Sequence, residues 1–306
     1  MFELGTHRVV EIPHCSIHHP LINDVAAVVR RALVDAGVPT YSETAHAGLV
    51  RYLQVVVERR SQTAQVVLVA NSATPEPLAH CLDRISELLG ERLHSLWFNA
   101  NRERTNAILG RDFTLWCGAQ AVVEHFGGAG VHYPPGAFGQ SNLDVAERIV
   151  EHVREAVPEG ARVAEFYAGV GAIGLSILPG VRHLRMNEVS PPSLEGMALG
   201  LQALDPADRA RIEVIAGAAG ASAAAASGVD VVIADPPRKG LDRELLERLA
   251  AEPPHRFVYV SCGLDSFIRD TAVLVAAGQL QLRGLTAFNL MPFTEHVETV
   301  GVFARA

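Results

Sequence analysis

The stretch from residue 162 to residue 178 constrains the fold more than any other. Arg162-Val163-Ala164-Glu165-Phe166 reads as a buried strand. Ala168-Gly169-Val170-Gly171-Ala172-Ile173-Gly174 follows as a glycine-rich turn, and the spacing predicts a helix over 172–178. Strand, glycine turn and helix in that order open a doubly wound α/β domain, because the missing side chains let a ligand approach the backbone at the start of the helix. The next strand, His183-Leu184-Arg185-Met186-Asn187-Glu188, ends in a carboxylate. It falls about twenty residues after the glycines, where such folds place an acid on ribose hydroxyls.

Short apolar, β-branched runs at 212–215, 229–234 and 257–260 read as further parallel strands with helices between them. The alanine-rich 218–227 reads as a short surface helix or loop without chemistry. After a helix predicted over 266–277, the runs 280–289 and 297–303 have no helix between them and should pair antiparallel. A glycine turn, an acid after the second strand and a terminal antiparallel pair describe the methyltransferase form of the doubly wound sheet, with S-adenosylmethionine as the cofactor. The expected fold class is α/β: a Rossmann-like S-adenosylmethionine-dependent methyltransferase domain preceded by a smaller α+β domain.

With 306 residues, 49% of them hydrophobic, the chain has room for two cores. Gly127-Gly128-Ala129-Gly130 and Pro134-Pro135-Gly136 read as its loosest part, so the expected domains are 1–133 and 134–306. In the first, helices are expected at 21–33 and 77–89, with strands at 49–57, 64–69, 93–99 and 105–109. Its arginines, among them Arg51, Arg102 and Arg104, are candidates to face phosphate. A net charge of -8 means that a nucleic-acid partner would meet a local arginine patch on an acidic body.

His14-Cys15-Ser16-Ile17-His18-His19 holds metal-ligating side chains, but they are bunched in one segment with no second cluster to complete a shell, so no metal is expected. The four cysteines, Cys15, Cys81, Cys117 and Cys262, have no paired spacing and should be free thiols. No apolar run approaches a membrane span, and Met1-Phe2-Glu3-Leu4-Gly5 lacks the layout of a signal peptide, which makes the cytoplasm the expected compartment.

Cys262 arrives where the strand 257–260 ends, the sheet edge at which open α/β folds bind ligands. Asp235-Pro236-Pro237-Arg238-Lys239-Gly240 follows another strand at that edge and contains the chain's only lysine. Amino-group methyltransferases often carry an aromatic residue after such a proline pair, and here Arg238 stands there. A carbon target is the alternative. A thiolate adding to carbon 6 of uracil makes carbon 5 nucleophilic, and a base must later remove the carbon-5 proton. Glu298, at the start of the last strand, is the candidate base.

These motifs together resemble the RNA (uracil-5-)-methyltransferase family, which forms 5-methyluridine in transfer and ribosomal RNA, and the resemblance runs over nearly the whole chain. Arg102-Glu103-Arg104-Thr105-Asn106-Ala107-Ile108-Leu109-Gly110 resembles the central-domain signature of that family. Phe138-Gly139-Gln140-Ser141-Asn142 resembles its Phe-Gln-Val-Asn segment, and 235–240, 260–262 and 296–298 its late motifs. The resemblance implies Cys262 as nucleophile and Glu298 as base. It implies Gln140, Phe166, Tyr167, Gly169, Gly171, Glu188 and Asp235 at the cofactor, and Arg238, Lys239, Arg51, Arg102 and Arg104 at the RNA. The chain departs from the family at Gly263, usually asparagine, at Phe293, often histidine, at Asn289, often aspartate, and in the turn, where Glu165-Phe166-Tyr167-Ala168-Gly169 stands for the family's Asp-Leu-Phe-Cys-Gly. Cys15 is similar to the last ligand of an iron-sulfur cluster whose other three cysteines are missing, so no cluster is expected. No counterpart of the family's N-terminal RNA-binding barrel is read, which leaves room for a separate RNA-binding partner. The alternatives kept beside this reading are methylation of a nucleoside or other small molecule, and a non-catalytic RNA-binding homologue.

Overall fold

The computed structural model describes Gly5 and residues 10–306, so the stretch read for a leader segment lies largely outside the described residues. The chain forms two compact units, Met1–Glu124 and His125–Ala306.

The first unit is an α+β layer. Helix α1 (Pro20–Asp35) starts at His19, whose imidazole accepts the Leu21 N–H, so part of the histidine-rich segment serves as a helix cap. Strands β1 (Val50–Glu58) and β2 (Thr63–Ala70) form the expected hairpin. Helix α2 (Ala79–Leu89) leads to β3 (Leu93–Ala100), which runs parallel to β2. The fourth strand is not at 105–109, as the pattern suggests, but at β4 (Asp112–Gly118), antiparallel to β3. The reason is local. The Asn99 and Asn101 side chains donate to the carbonyls of Ala107, Ile108, Gly110 and Asp112, and satisfy a loop where a neighbouring strand would otherwise be needed. Leu21, Val25 and Val29 of α1 and Leu82 and Ile85 of α2 share one core with Leu68 and Phe98 of the sheet.

Gly127 and Gly128, read as a loose junction, are the positive-φ turn between β5 (Val122–Phe126) and β6 (Ala129–Tyr133). The compact units therefore divide ahead of residue 133, and β6 belongs to the second unit.

That unit begins with α3 (Leu143–Glu155), β7 (Ala161–Phe166), α4 (Ala172–Ile177) and β8 (Val181–Glu188). It continues with α5 (Pro191–Gln202), the single-turn α6 (Pro206–Arg209), β9 (Ile212–Ala216) and β10 (Val231–Ala234). Last come α7 (Arg243–Ala251), β11 (Arg256–Ser261), α8 (Leu264–Ala276), β12 (Leu280–Phe288) and β13 (Glu298–Arg305). Strand β6 packs on α4 and α5, where glycines make the room: a Cβ at Gly196 would collide with the His132 carbonyl.

The seven strands lie in the order β12-β13-β11-β10-β7-β8-β9. Strands β7 to β11 are parallel, and β13 inserts antiparallel between β11 and β12. The strand order reverses beside β7, with β8 on one side and β10 on the other, and such a reversal opens a crevice at the carboxyl ends. Among the described residues no helix is long and apolar enough to cross a membrane.

Candidate active site

The crevice is a cavity of about 680 Å³ within the second unit. Gln140, Tyr167, Gly169, Glu188, Asp235, Arg238, Lys239, Cys262 and Glu298 all line it. Five of the expected residues do not. Phe166 is 0% exposed, in the core with Phe257 and Tyr259, because alternation along β7 turns it away from the crevice and turns Glu165 toward it. Gly171 acts through its backbone: it is the left-handed residue, φ 86°, that precedes α4. Arg51, Arg102 and Arg104 lie in the first unit. Arg102 and Arg104 are exposed, but the Arg51 side chain is 0% exposed and is not available to phosphate. Its guanidinium donates to the carbonyls of Asn101 and Glu103 at 2.8 Å and lies over the Tyr41 ring, 4.4 Å from the centroid.

The glycine turn and the acid of β8 meet directly. Glu188 accepts the Gly169 N–H at 2.7 Å through one carboxylate oxygen, and the N–H groups of Val189 and Ser190 through the other. Tyr167 holds a left-handed backbone, φ 59°, and its hydroxyl accepts the Asp242 N–H at 2.8 Å, which ties the turn to the loop after β10. Burial pushes that phenol up to about 12. Asp242 in turn pairs with Lys239 at 2.7 Å. The fully buried Asp270 of α8 accepts the Leu241 N–H and the Tyr259 hydroxyl, and braces the same loop from below. Neither Asp242 nor Asp270 stands out in the sequence, since each is one acid in a helical stretch. Ala218 and Ala219, from the segment read as devoid of chemistry, form part of the cavity wall.

Cys262 and Glu298 are placed by the sheet. Ser261 of β11 is the register partner of Thr299 of β13, so the residues one step beyond, Cys262 and Glu298, face each other where the two antiparallel strands open into the crevice. The Thr299 hydroxyl donates to the Ser261 carbonyl at 3.1 Å and pins that end. Gly263 keeps the turn after Cys262 tight: a Cβ there would lie 2.9 Å from the Arg238 carbonyl oxygen.

Burial, Glu298 and Asp235 push the Cys262 thiol above its ordinary value, while the Arg238 charge draws it back. Glu298 is pushed up to about 8 by burial and by Asp235. Asp235 itself, deep in the crevice, rises to about 7 by burial. Glu165, which the sequence marks only as part of the glycine-turn strand, is 2% exposed, lines the same cavity and rises to about 8 through burial, then Asp235. A signal existed in the sequence: an acid among the apolar residues that end a parallel strand. Among the described residues no group of three histidine, cysteine or acidic side chains is arranged to hold a metal ion.

A parallel sheet with an inserted antiparallel strand, a glycine turn on an acid and a thiol at the crevice define the methyltransferase form of the doubly wound fold. No protein-family model matches the chain. An uncharacterized RNA methyltransferase of Protochlamydia amoebophila, pc1998, is 35% identical over 311 residues, which span 100% of this chain and 81% of that protein. A second, GSU1452 of Geobacter sulfurreducens, is 29% identical, over 100% of this chain and 62% of its own length, so the chain spans less than two thirds of that relative. Among solved structures, the Pyrococcus abyssi tRNA (uracil-54, C5)-methyltransferase in complex with S-adenosyl-L-homocysteine superposes with a TM-score of 0.82 at 21% identity, covering 99% of this chain and 72% of that one. The chain belongs to the RNA methyltransferase family of pc1998.

Proposed function

We propose that the protein methylates carbon 5 of a uridine in tRNA or rRNA, with S-adenosylmethionine as donor and Cys262 and Glu298 as the catalytic pair. The observation that carries this reading is the pairing of thiol and carboxylate across β11 and β13 at the mouth of the crevice. The likeness of fold to the Pyrococcus abyssi tRNA (uracil-54, C5)-methyltransferase in complex with S-adenosyl-L-homocysteine supports it.

The cavity fits the donor. Glu188, held by three backbone N–H groups, keeps lone pairs for ribose hydroxyls, and Gly169 opens the backbone beside it. Glu165 Oε2 is buried with no hydrogen-bond partner, a place suited to a cation. Gln140, Tyr167 and Asp235 complete the binding set. When bound, the donor supplies an electrophilic methyl group on a positively charged sulfur.

The residues of the chain supply the rest. Cys262, its thiol proton passed to solvent, adds to carbon 6 as the thiolate, and the 5,6 π pair turns carbon 5 into an enolate-like nucleophile. The Glu298 carboxylate later takes the proton from the methylated carbon 5. That C–H pair becomes the 5,6 double bond, and the carbon 6–sulfur pair leaves with Cys262. Arg238 and Lys239, exposed beside the crevice, and Arg102 and Arg104, exposed in the first unit, are the proposed phosphate contacts, and the cytoplasm is the proposed compartment.

Trapping tests this. Cys262→Ala should bind S-adenosylmethionine and transfer no methyl group. Glu298→Gln should accept the methyl group yet fail to release it, since a positioned base contributes typically about 10²- to 10⁴-fold. A methylated, covalent protein–RNA complex should then survive denaturing electrophoresis. Wild-type turnover by Cys262→Ala would remove the thiol from the mechanism.

A further inference from the structure

We propose that Glu165, Asp235 and Glu298 act as one proton-holding group that reads the charge on the cofactor, with Glu165 as the residue that makes the crevice prefer the sulfonium donor to its neutral thioether product. This inference rests on the cofactor assignment above and goes further, because it gives a function to a buried carboxylate that neither the adduct nor the ribose contact uses.

Glu165 sits on the central strand, in register with Ile233 of β10, and Asp235 extends that neighbouring strand into the crevice. Glu298 reaches the same space from β13. The groups that face this cluster come from every element around it: Glu188 from β8, the Gly174 N–H from α4, Cys262 from β11, Arg238 after β10 and His296 before β13. Cationic charge is confined to the exposed Arg238 and Lys239, and Lys239 is paired with Asp242. The deep part of the cavity thus holds acids without a fixed counter-charge. Gly174 is small for the sake of this arrangement, since a Cβ there would collide with the free carboxylate oxygen of Glu165.

Acids that share one cavity largely shielded from water do not all ionise, and a cation entering among them favours the ionised forms. Glu165 and Glu298 near 8 and Asp235 near 7 lie where neutral solution can change their state. The donor and its product differ by one methyl group and one positive charge. Both bring the same α-ammonium group, so the sulfonium is what sets them apart: binding of the donor should break one more carboxylic O–H bond than binding of the product and release that proton to solvent. No oxidation or reduction is involved. Once the positive charge is gone, the carboxylates regain their affinity for a proton. At that stage Glu298 must accept one from carbon 5, so the group would also time the base.

The test is calorimetric and needs no turnover. S-adenosylmethionine and S-adenosylhomocysteine are titrated separately into the full chain, in buffers of different ionisation enthalpy and at several pH values. The donor should release close to one proton more than the product. Its affinity relative to the product should rise by up to about tenfold per pH unit between about pH 6 and about pH 8, the slope that one linked proton allows. In Glu165→Gln the pH dependence of the ratio should flatten. Equal proton release by the two ligands, or a ratio independent of pH in the wild type, overturns the inference and leaves the cofactor assignment standing. If neither ligand binds, the cofactor assignment falls and takes this inference with it.

Discussion

Arg51 shows how much a single side chain's meaning depends on where it lies. A lone arginine on a strand invites a phosphate, yet this one is enclosed beneath the loop that carries Arg102 and Arg104. Its donors satisfy the carbonyls of Asn101 and Glu103, and it stacks on Tyr41, so the planar fork is used for packing and for backbone support. Arg51→Ala should therefore lower the melting temperature, since Asn101, 3% exposed, loses its donor and a buried acceptor left unpartnered costs about 1 to 3 kcal/mol. Arg102→Ala and Arg104→Ala are exposed changes and should leave the melting temperature unchanged. If these two meet RNA phosphates, each should weaken binding and reduce the slope of log affinity against log salt by about 0.7 to 0.9. Thermal melts and salt titrations of the three variants separate the roles. A stable Arg51→Ala with a reduced salt slope would reverse them.

At the scale of elements, the site is an edge at which β7, β10, β11 and β13 deliver one chemical group each, and the loop after β10 is clamped by its neighbours. Gly263 touches that loop through the Arg238 backbone and touches Ser266 of α8. A side chain there has no flexible atom to displace on the Arg238 side. Gly263→Ala should push Cys262 out of line with Glu298 and cut methyl transfer by at least about tenfold, while affinity for S-adenosylmethionine, held on the β7 and β8 side, changes little. Single-turnover kinetics beside calorimetry would show the split, and equal losses in both would argue against it. Strands β10 and β11 were legible in the sequence because strands buried on both faces read as unbroken apolar runs, and the antiparallel ending was legible because no crossover helix fits between β12 and β13. Strand β4 was not legible. Its residues are half-exposed or exposed, and the more apolar segment before it is held as a loop by the Asn99 and Asn101 side chains, local contacts that an apolar periodicity does not record. Cys262 and Glu298 stand at strand ends and can be found there. The Phe166 assignment failed on alternation, which placed Glu165 and not its neighbour in the crevice. The bracing by Asp270 depends on the packing of α8 against the loop, which no local pattern announces.

For the molecule as a whole, the concentration of carboxylates in one cavity costs stability that depends on pH. Glu165 is raised from 4.5 to about 8, so the folded state holds its proton where the unfolded chain has already lost it. The sign follows from linkage. The contribution of the group is fully present below about pH 4.5 and is lost as pH rises toward about 8, because unfolding then releases a proton. Asp235 and Glu298, raised to about 7 and about 8, act in the same direction and the same window. His132 acts oppositely: burial, then His125, lowers it, so the folded state disfavours the charged form and the cost appears on the acid side. A plain melting curve against pH mixes these effects, but a difference between two proteins does not. Glu165→Gln keeps the shape and removes only the titration. Its melting temperature minus that of the wild type should be near its minimum at about pH 5, grow up to about pH 8 and level off above about pH 9. A difference that stays constant across that range would mean that Glu165 titrates alike in the folded and unfolded chain, and the crevice would then hold an ordinary, solvated carboxylate.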